Sequence, residues 1–329
     1  MPIATPRRVP TDASISDLTT DGTWISWSAG EGITAPDIYR WRPGDAAPQL
    51  VWRNPERVAA IDQLVAHGDH YAFVDAGEEV NDTITWRFWY LDAPGEQAAR
   101  LASVTRPVDK RGIVALPALS DRYLVYTIPR YDGDAVTSEL VAMDLRTRAA
   151  RVVARSDFRD TEYWYPALDG SRLVYGTVEY RNDALHGERH VYLLDLDVPD
   201  ATPRRLDSKG EASQPDILGD SVVWKTAAFN YNANNWGQIV EHSLLDGSET
   251  TLELGPADGW VQPDIGPRFA TAEPDEWSYL GAWDRQTGAQ VTIDSADPRS
   301  GSGFMHPALA GSLMVYVAAP DYTGVGGEI

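Results

Sequence analysis

The sequence predicts an all-β protein, a seven-bladed β-propeller whose blades are four-stranded antiparallel sheets. Two observations carry that expectation. The first is a repeated phrase: a short apolar stretch, usually with a proline, leads through a Gly or Asp turn into a run that ends on an aromatic residue. It reads DLTTDGTWISW (17–27), QLVAHGDHYAF (63–73), LPALSDRYLVY (116–126), YPALDGSRLVY (165–175), QPDILGDSVVW (214–224), QPDIGPRFAT (262–271) and HPALAGSLMVY (306–316). The second is its spacing. The closing residues Trp27, Phe73, Tyr126, Tyr175, Trp224, Thr271 and Tyr316 stand 46, 53, 49, 49, 47 and 45 apart. Hairpin repeats of that length are the signature of propeller blades. No segment shows a convincing 3.6-residue apolar period, so almost no helix is expected.

The fourth repeat justifies each strand in order. YWYPAL (163–168) is strand a, DGS (169–171) a tight hairpin turn, and RLVYGTVEY (172–180) strand b with apolar residues on alternate positions. A polar loop (181–188) precedes strand c, RHVYLLDL (189–196), and PRRL (203–206) is strand d. Strand c recurs at 37–41, 86–92, 138–145, 237–244 and 277–284, and strand d at 49–53, 99–103, 151–155, 250–254 and 290–294. The seventh repeat stops after LMVYVA (313–318) and GGEI (326–329), which is short for a strand c. An open sheet edge leaves backbone groups unpaired. IATPRRVP (3–10) matches PRRL, so the N-terminal strand is expected to close the ring on the last blade. That blade is then three-stranded or belongs to a longer chain.

This hairpin, P-x-L/I-x-G/D-x-x-L/V-V-Y/W followed by a strand and a D-x-x-T/D-G turn, resembles the TolB-like β-propeller repeats of Tol-system proteins, bacterial surface proteins and propeller lyases. The resemblance covers essentially the whole chain. It implies a propeller of six or more blades and transfers no catalytic residue, because this fold hosts binders, scaffolds and enzymes alike.

Repeat architectures grow by adding units, so 329 residues are read as one propeller domain, 1–329. A 43% hydrophobic composition with 12 Trp and 15 Tyr supports a large core. A net charge of −21 argues against nucleic acid and against an acidic membrane surface as partners. With no cysteine, disulfides, thiolate metal sites and thiol nucleophiles are excluded. No run approaches the length of a membrane span and the N-terminus lacks a signal-like apolar stretch. The expectation is a monomer, cytoplasmic as the chain stands, or secreted or periplasmic if a signal was trimmed. Three lysines against 25 arginines resemble high-GC bacterial coding.

Antiparallel blades put the a–b and c–d turns on one face and the b–c loops and d-to-a connections on the other. The first face is short-looped. The second carries DAGEEVNDTIT (75–85), IPRYDGDAVT (128–137), EYRNDALHGE (179–188), TAAFNYNANNWG (226–237), RSDFRDTEYW (155–164) and ADPRSGSGFM (296–305), and long loops on a rigid frame are where function usually sits.

The residues before the recurring proline, Leu116, Tyr165, Gln214, Gln262 and His306, converge on the axis at that face, with Trp164 and Trp260 beside them as stacking surfaces. Asn-rich 227–238, with Tyr231, Asn232 and Trp236, suits a sugar or polar peptide; Asn also serves left-handed turns. Arg159, Glu179 and Arg181, with Asp160, Glu162 and Asp183, are a salt-bridge network or part of a site. Lys225 stands where other blades have small or apolar residues, and either snorkels to the rim or is buried.

Expected first is a binder of a polar small molecule, oligosaccharide or peptide at the channel mouth. The alternative is a lyase or hydrolase in which His306 and Tyr165 act with a carboxylate or arginine of the fourth repeat. A third reading is a protein-interaction scaffold. No G-x-S-x-G elbow, H-E-x-x-H, Walker loop or dinucleotide fingerprint is present. No cofactor is required, although the acidic loops (Asp75, Glu78, Glu79, Asp132, Asp134, Asp275, Glu276) permit calcium in the channel.

Overall fold

The computed structural model describes residues 14–30, 37–55, 60–76, 83–107, 116–132, 135–180, 187–208, 211–226, 237–255, 260–274, 279–295, 303–311 and 313–319. Every regular element among them is a β-strand. Blade one is β1 (Ser14–Thr20), β2 (Ile25–Gly30), β3 (Asp37–Trp41) and β4 (Gln49–Arg53). Blade two is β5 (Ala60–His67), β6 (His70–Ala76), β7 (Thr83–Leu91) and β8 (Ala99–Pro107). Blade three is β9 (Pro117–Leu119), β10 (Tyr123–Asp132), β11 (Ala135–Asp144) and β12 (Ala150–Asp157). Blade four is β13 (Thr161–Asp169), β14 (Arg172–Glu179), β15 (Glu188–Asp195) and β16 (Arg204–Arg205). Blade five is β17 (Ala212–Leu218), β18 (Ser221–Thr226), β19 (Ile239–Ser243) and β20 (Glu249–Leu252). Blade six is β21 (Trp260–Ile265), β22 (Phe269–Pro274), β23 (Tyr279–Asp284) and β24 (Ala289–Ser295). The seventh repeat is a hairpin of β25 (Gly303–Ala310) and β26 (Leu313–Ala319).

Each sheet pairs its strands in chain order and antiparallel, as the repeat demands. The count corrects the expectation. There are six four-stranded blades, not seven, and the seventh repeat forms two strands among the described residues. The N-terminal segment 3–10 expected to close the ring lies outside the described residues. Closure is instead visible as packing: Leu18, Ile25, Trp27 and Trp41 of blade one share a core with Val315 and Val317 of the last hairpin.

Alternation along strand b explains how a ring forms without one central core. On β10, Leu124, Tyr126 and Ile128 pack toward blade two, whereas Tyr123 and Val125 pack toward blade four. Period-2 side-chain placement sends alternate residues to opposite faces, so blades one to five each serve two cores. The repeated aromatic faces the preceding blade: Trp27, Phe73, Tyr126, Tyr175 and Trp224 belong in turn to the cores with the seventh, first, second, third and fourth repeats.

Thr271 does not hold this position. Asp264 pairs with Thr271 as Asp216 pairs with Val223, so the residue matching Trp224 is Ala272, which joins Ala270 in the core with blade five. An alanine there leaves the aromatic rhythm to blades one to five and the last hairpin. Two segments read as loops are also largely strand. IPRYDGDAVT extends the β10–β11 hairpin to the Asp132–Ala135 pair, and RSDFRDTEYW lies mostly within β12 and β13.

Candidate functional site

Strand a is bent by a bulge at the predicted channel position in blades two, four, five and six and in the last hairpin. Two residues face one across the register between Asp62 and Val65, Trp164 and Ala167, Ser213 and Asp216, Val261 and Asp264, and Met305 and Ala308. The first residue of each bulge is left-handed at Gln63, Tyr165, Gln214 and Gln262, with φ of 54°, 44°, 52° and 48°. A non-glycine residue there costs about 1–3 kcal/mol. The proline that follows residues 165, 214 and 262 explains the location, since it has no N–H to give the ladder and disfavours a right-handed helical residue before it. Blade two lacks that proline. Its Leu64 N–H is instead accepted by Asp17 Oδ2 of blade one, so no donor is wasted.

The bulges turn Gln63, Tyr165, Gln214 and Gln262 into one cavity of about 290 Å³ on the axis, with Leu116 and Pro307 completing the circle. Asp216 and Asp264 also line it. These three amides, one phenol and two carboxyls offer hydrogen-bond donors and acceptors on a ring of proline faces.

Side chains also run around the ring from one blade to the next. Gln214 Oε1 accepts the Gln262 N–H at 3.1 Å, Asp216 Oδ2 accepts the Ile265 N–H at 2.9 Å, and Asp264 Oδ2 accepts the Leu309 N–H at 2.7 Å. On the short-loop face Asp21 and Asp169 accept from Gly68 and Gly219, each at 2.9 Å. Burial raises the proton affinity of both Asp216 and Asp264, and the Asp216 carboxyl adds to the rise at Asp264. Neither aspartate was singled out from sequence. The signal was there: two repeats read QPDI where three others read PAL.

At the mouth, Glu162 is buried. Its carboxylate accepts hydrogen bonds from Tyr180 Oη and Trp164 Nε1, both at 2.8 Å. Burial pushes this carboxyl up, against those two bonds, which favour its ionised form. The Trp164 ring lies 5.7 Å from that of Tyr165. Arg189 on β15, also missed from sequence, is pushed down by burial, with Tyr180 and Tyr165 acting the other way.

The remaining expected residues do not gather there. Arg159 is exposed on the turn between β12 and β13, where its N–H bonds Asp157. Glu179 is half-buried, accepting from Tyr192 Oη at 2.8 Å and lying 3.8 Å from the buried His190. Lys225 is buried in β18, paired with Ser213 across the bulged ladder, and does not snorkel to the rim. Asp75 is no loop carboxylate: it is wholly buried and holds Arg87 in a two-point ion pair at 2.7 and 2.8 Å. Arg181, Tyr231, Asn232 and Trp236 lie outside the described residues, and β21 and β25 are described at Trp260 and His306 without their side chains. Among the described residues no group of three or more His, Asp or Glu side chains is arranged to hold a metal ion, and no helix is long and apolar enough to cross a membrane.

No family model matches the chain, and no curated protein matches its sequence. Solved structures do match in shape. The β-propeller domain of the Trilobed protease from Pyrococcus furiosus, described as having an open velcro topology, superposes with a TM-score of 0.65 at 14% identity over 96% of this chain and 94% of that one. Pyrococcus horikoshii acylaminoacyl peptidase gives a TM-score of 0.65 at 14% identity over 93% of this chain, which spans 49% of the peptidase. An oligogalacturonate lyase in complex with manganese gives 0.58 at 11% identity, covering 93% of this chain and 88% of that chain. At these identities the likeness shows the fold alone: the chain is a β-propeller.

Proposed function

We propose that the chain is a ligand-binding propeller that takes a polar ligand, a peptide segment by preference, at the long-loop mouth of its channel. One observation carries this reading. The bulged strands aim Gln63, Tyr165, Gln214 and Gln262 into a common cavity of about 290 Å³ at the cost of left-handed backbone in each. Strain held at several equivalent positions has a reason when the side chains do a common job. Primary amides both donate and accept, which matches a peptide backbone, and the pyrrolidine rings between them offer apolar faces. The propeller domains of peptidases among the structural neighbours agree with a peptide at this coarse level.

The test is calorimetric titration of the full chain with short neutral peptides, compared with neutral oligosaccharides. Loss of one hydrogen-bonding amide in Gln214→Ala or Gln262→Ala weakens peptide binding about 2- to 10-fold, and the pair of changes compounds it. Oligosaccharide binding without peptide binding overturns the preference, and binding unchanged in both variants overturns the site.

A second reading, acid–base turnover at the same mouth, has the buried Glu162 behind it, oriented by Trp164 and Tyr180 and raised in proton affinity beside Tyr165. Turnover that vanishes in Glu162→Gln or Tyr165→Phe while affinity stays supports an enzyme. Absence of turnover in every variant leaves the binder.

A further inference from the structure

The axial cavity carries charged groups of one sign. Asp216 on β17 and Asp264 on β21 line it, both half-buried, beside Gln63, Gln214 and Gln262, and no lysine, arginine or histidine lines it among the described residues. Each carboxyl is held in place by the next repeat. Asp216 Oδ2 accepts the Ile265 N–H at 2.9 Å and Asp264 Oδ2 accepts the Leu309 N–H at 2.7 Å, and since an ionised carboxylate has about four lone-pair sites, acceptor capacity is left for a guest. We propose that, within the peptide-binding reading given above and resting on it, this cavity selects a primary ammonium group, with Asp216 and Asp264 as its counter-charges.

Charge balance is the reason. A carboxylate inside protein is costly unless an opposite charge or hydrogen bonds offset it, and the lining supplies amides and a phenol but no cation among the described residues. The guest brings what the cavity lacks. Burial raises the proton affinity of both carboxyls, with Asp169 of β13 adding to the rise at Asp216, and an ammonium a few ångströms away acts the other way and favours the ionised forms. Size points the same way. A volume of about 290 Å³ is at the small end of ligand pockets, with room for a chain end or one side chain and none for a folded partner. Because one oxygen of each carboxyl already holds a backbone N–H, the two acids suit the single donors of an ammonium better than the two-point fork of a guanidinium. A peptide has two sources of such a group, a free N-terminus and a lysine side chain.

The test is calorimetric titration of the full chain at neutral pH and fixed salt with short peptides. They are an uncharged peptide blocked at both ends, the same peptide with a free N-terminus, a blocked peptide with one lysine, and that peptide with its lysine acetylated. At least one ammonium peptide binds about 10- to 100-fold tighter than its acetylated counterpart, as a charge-assisted hydrogen bond exceeds a neutral one, and the one that does so identifies the source. In Asp216→Asn and Asp264→Asn, whose amides still accept from Ile265 and Leu309, that advantage shrinks about 10-fold while the blocked peptide binds as before. Ammonium and acetylated peptides that bind alike overturn the charge selection and leave the peptide site standing, whereas no binding by any of them overturns both. An advantage kept in full by both variants overturns the role of the two aspartates. The wild-type comparison needs no variant, so it decides even if neither Asn protein folds.

Discussion

At the scale of single residues, the left-handed glutamines set function against stability. Gln262 is exposed with φ of 48°, a conformation that glycine adopts without steric cost. Gln262→Gly therefore raises unfolding stability by about 1 kcal/mol in a denaturant titration while it weakens peptide binding. A less stable variant would mean that the bulge is not strained. Glu162 makes the same point through protons. Its carboxyl is buried and raised, so the wild type loses stability as pH climbs from the usual carboxylate range through the folded-state value. Glu162→Gln cannot ionise, and its stability measured from acid to neutral pH stays level across that window. The mouth residues Tyr165, Gln214 and Gln262 were legible in the sequence because a proline marks their position in each repeat. Gln63 has no such proline, and Asp216 and Asp264 were hidden inside the repeat phrase itself. Their importance lies in what they touch one blade away, and repeat spacing alone does not show that.

At the scale of elements, strand boundaries followed the alternation of apolar residues, and errors came where polar residues continue a strand. Residues 129–132 and 135–138 look like loop by composition, yet they pair with one another as an extension of the hairpin because backbone hydrogen bonds do not depend on side-chain polarity. Asp75, read as one of the acidic loop residues, is a related case. It lies on β6 beside Arg87 of β7, the sheet buries both, and the guanidinium meets the carboxylate at two points. Removing one member strands the other in the interior. Asp75→Ala is expected to cost about 3–5 kcal/mol in unfolding stability, whereas an Asp69→Ala change at the exposed end of the Arg40 pair costs about 0–1 kcal/mol. Equal losses in a denaturation series would contradict the burial assigned to Asp75.

At the scale of the whole molecule, the ring stands or falls on its last contact. The first blade meets the seventh repeat through Trp27, Leu18 and Ile25 against Val315 and Val317, and the Gly22 turn lies so close to the Ala310 carbonyl that a Cβ there would sit 3.0 Å away. Trp27→Ala is expected to cost about 3–5 kcal/mol, as for other large core truncations. Removing residues 303–319 exposes that core and leaves blades one and six without their neighbour; the outcome is aggregation or loss of the cooperative thermal transition in calorimetry. A cooperative transition unchanged after that deletion would show that the six complete blades need no closure.

The sequence by itself determined the all-β class, the strand order within a blade and the axial position of Tyr165, Gln214 and Gln262. Those follow from local rules: period-2 burial, turn residues and the missing N–H of proline all act within a few residues of chain. Tertiary structure decided the number of four-stranded blades among the described residues, the burial of Lys225 and Asp75, and the place of Asp216 and Asp264 on one cavity. Each of these depends on groups about one repeat or more apart in sequence, or on how neighbouring sheets exclude water, and proximity of that kind exists only once the ring has closed.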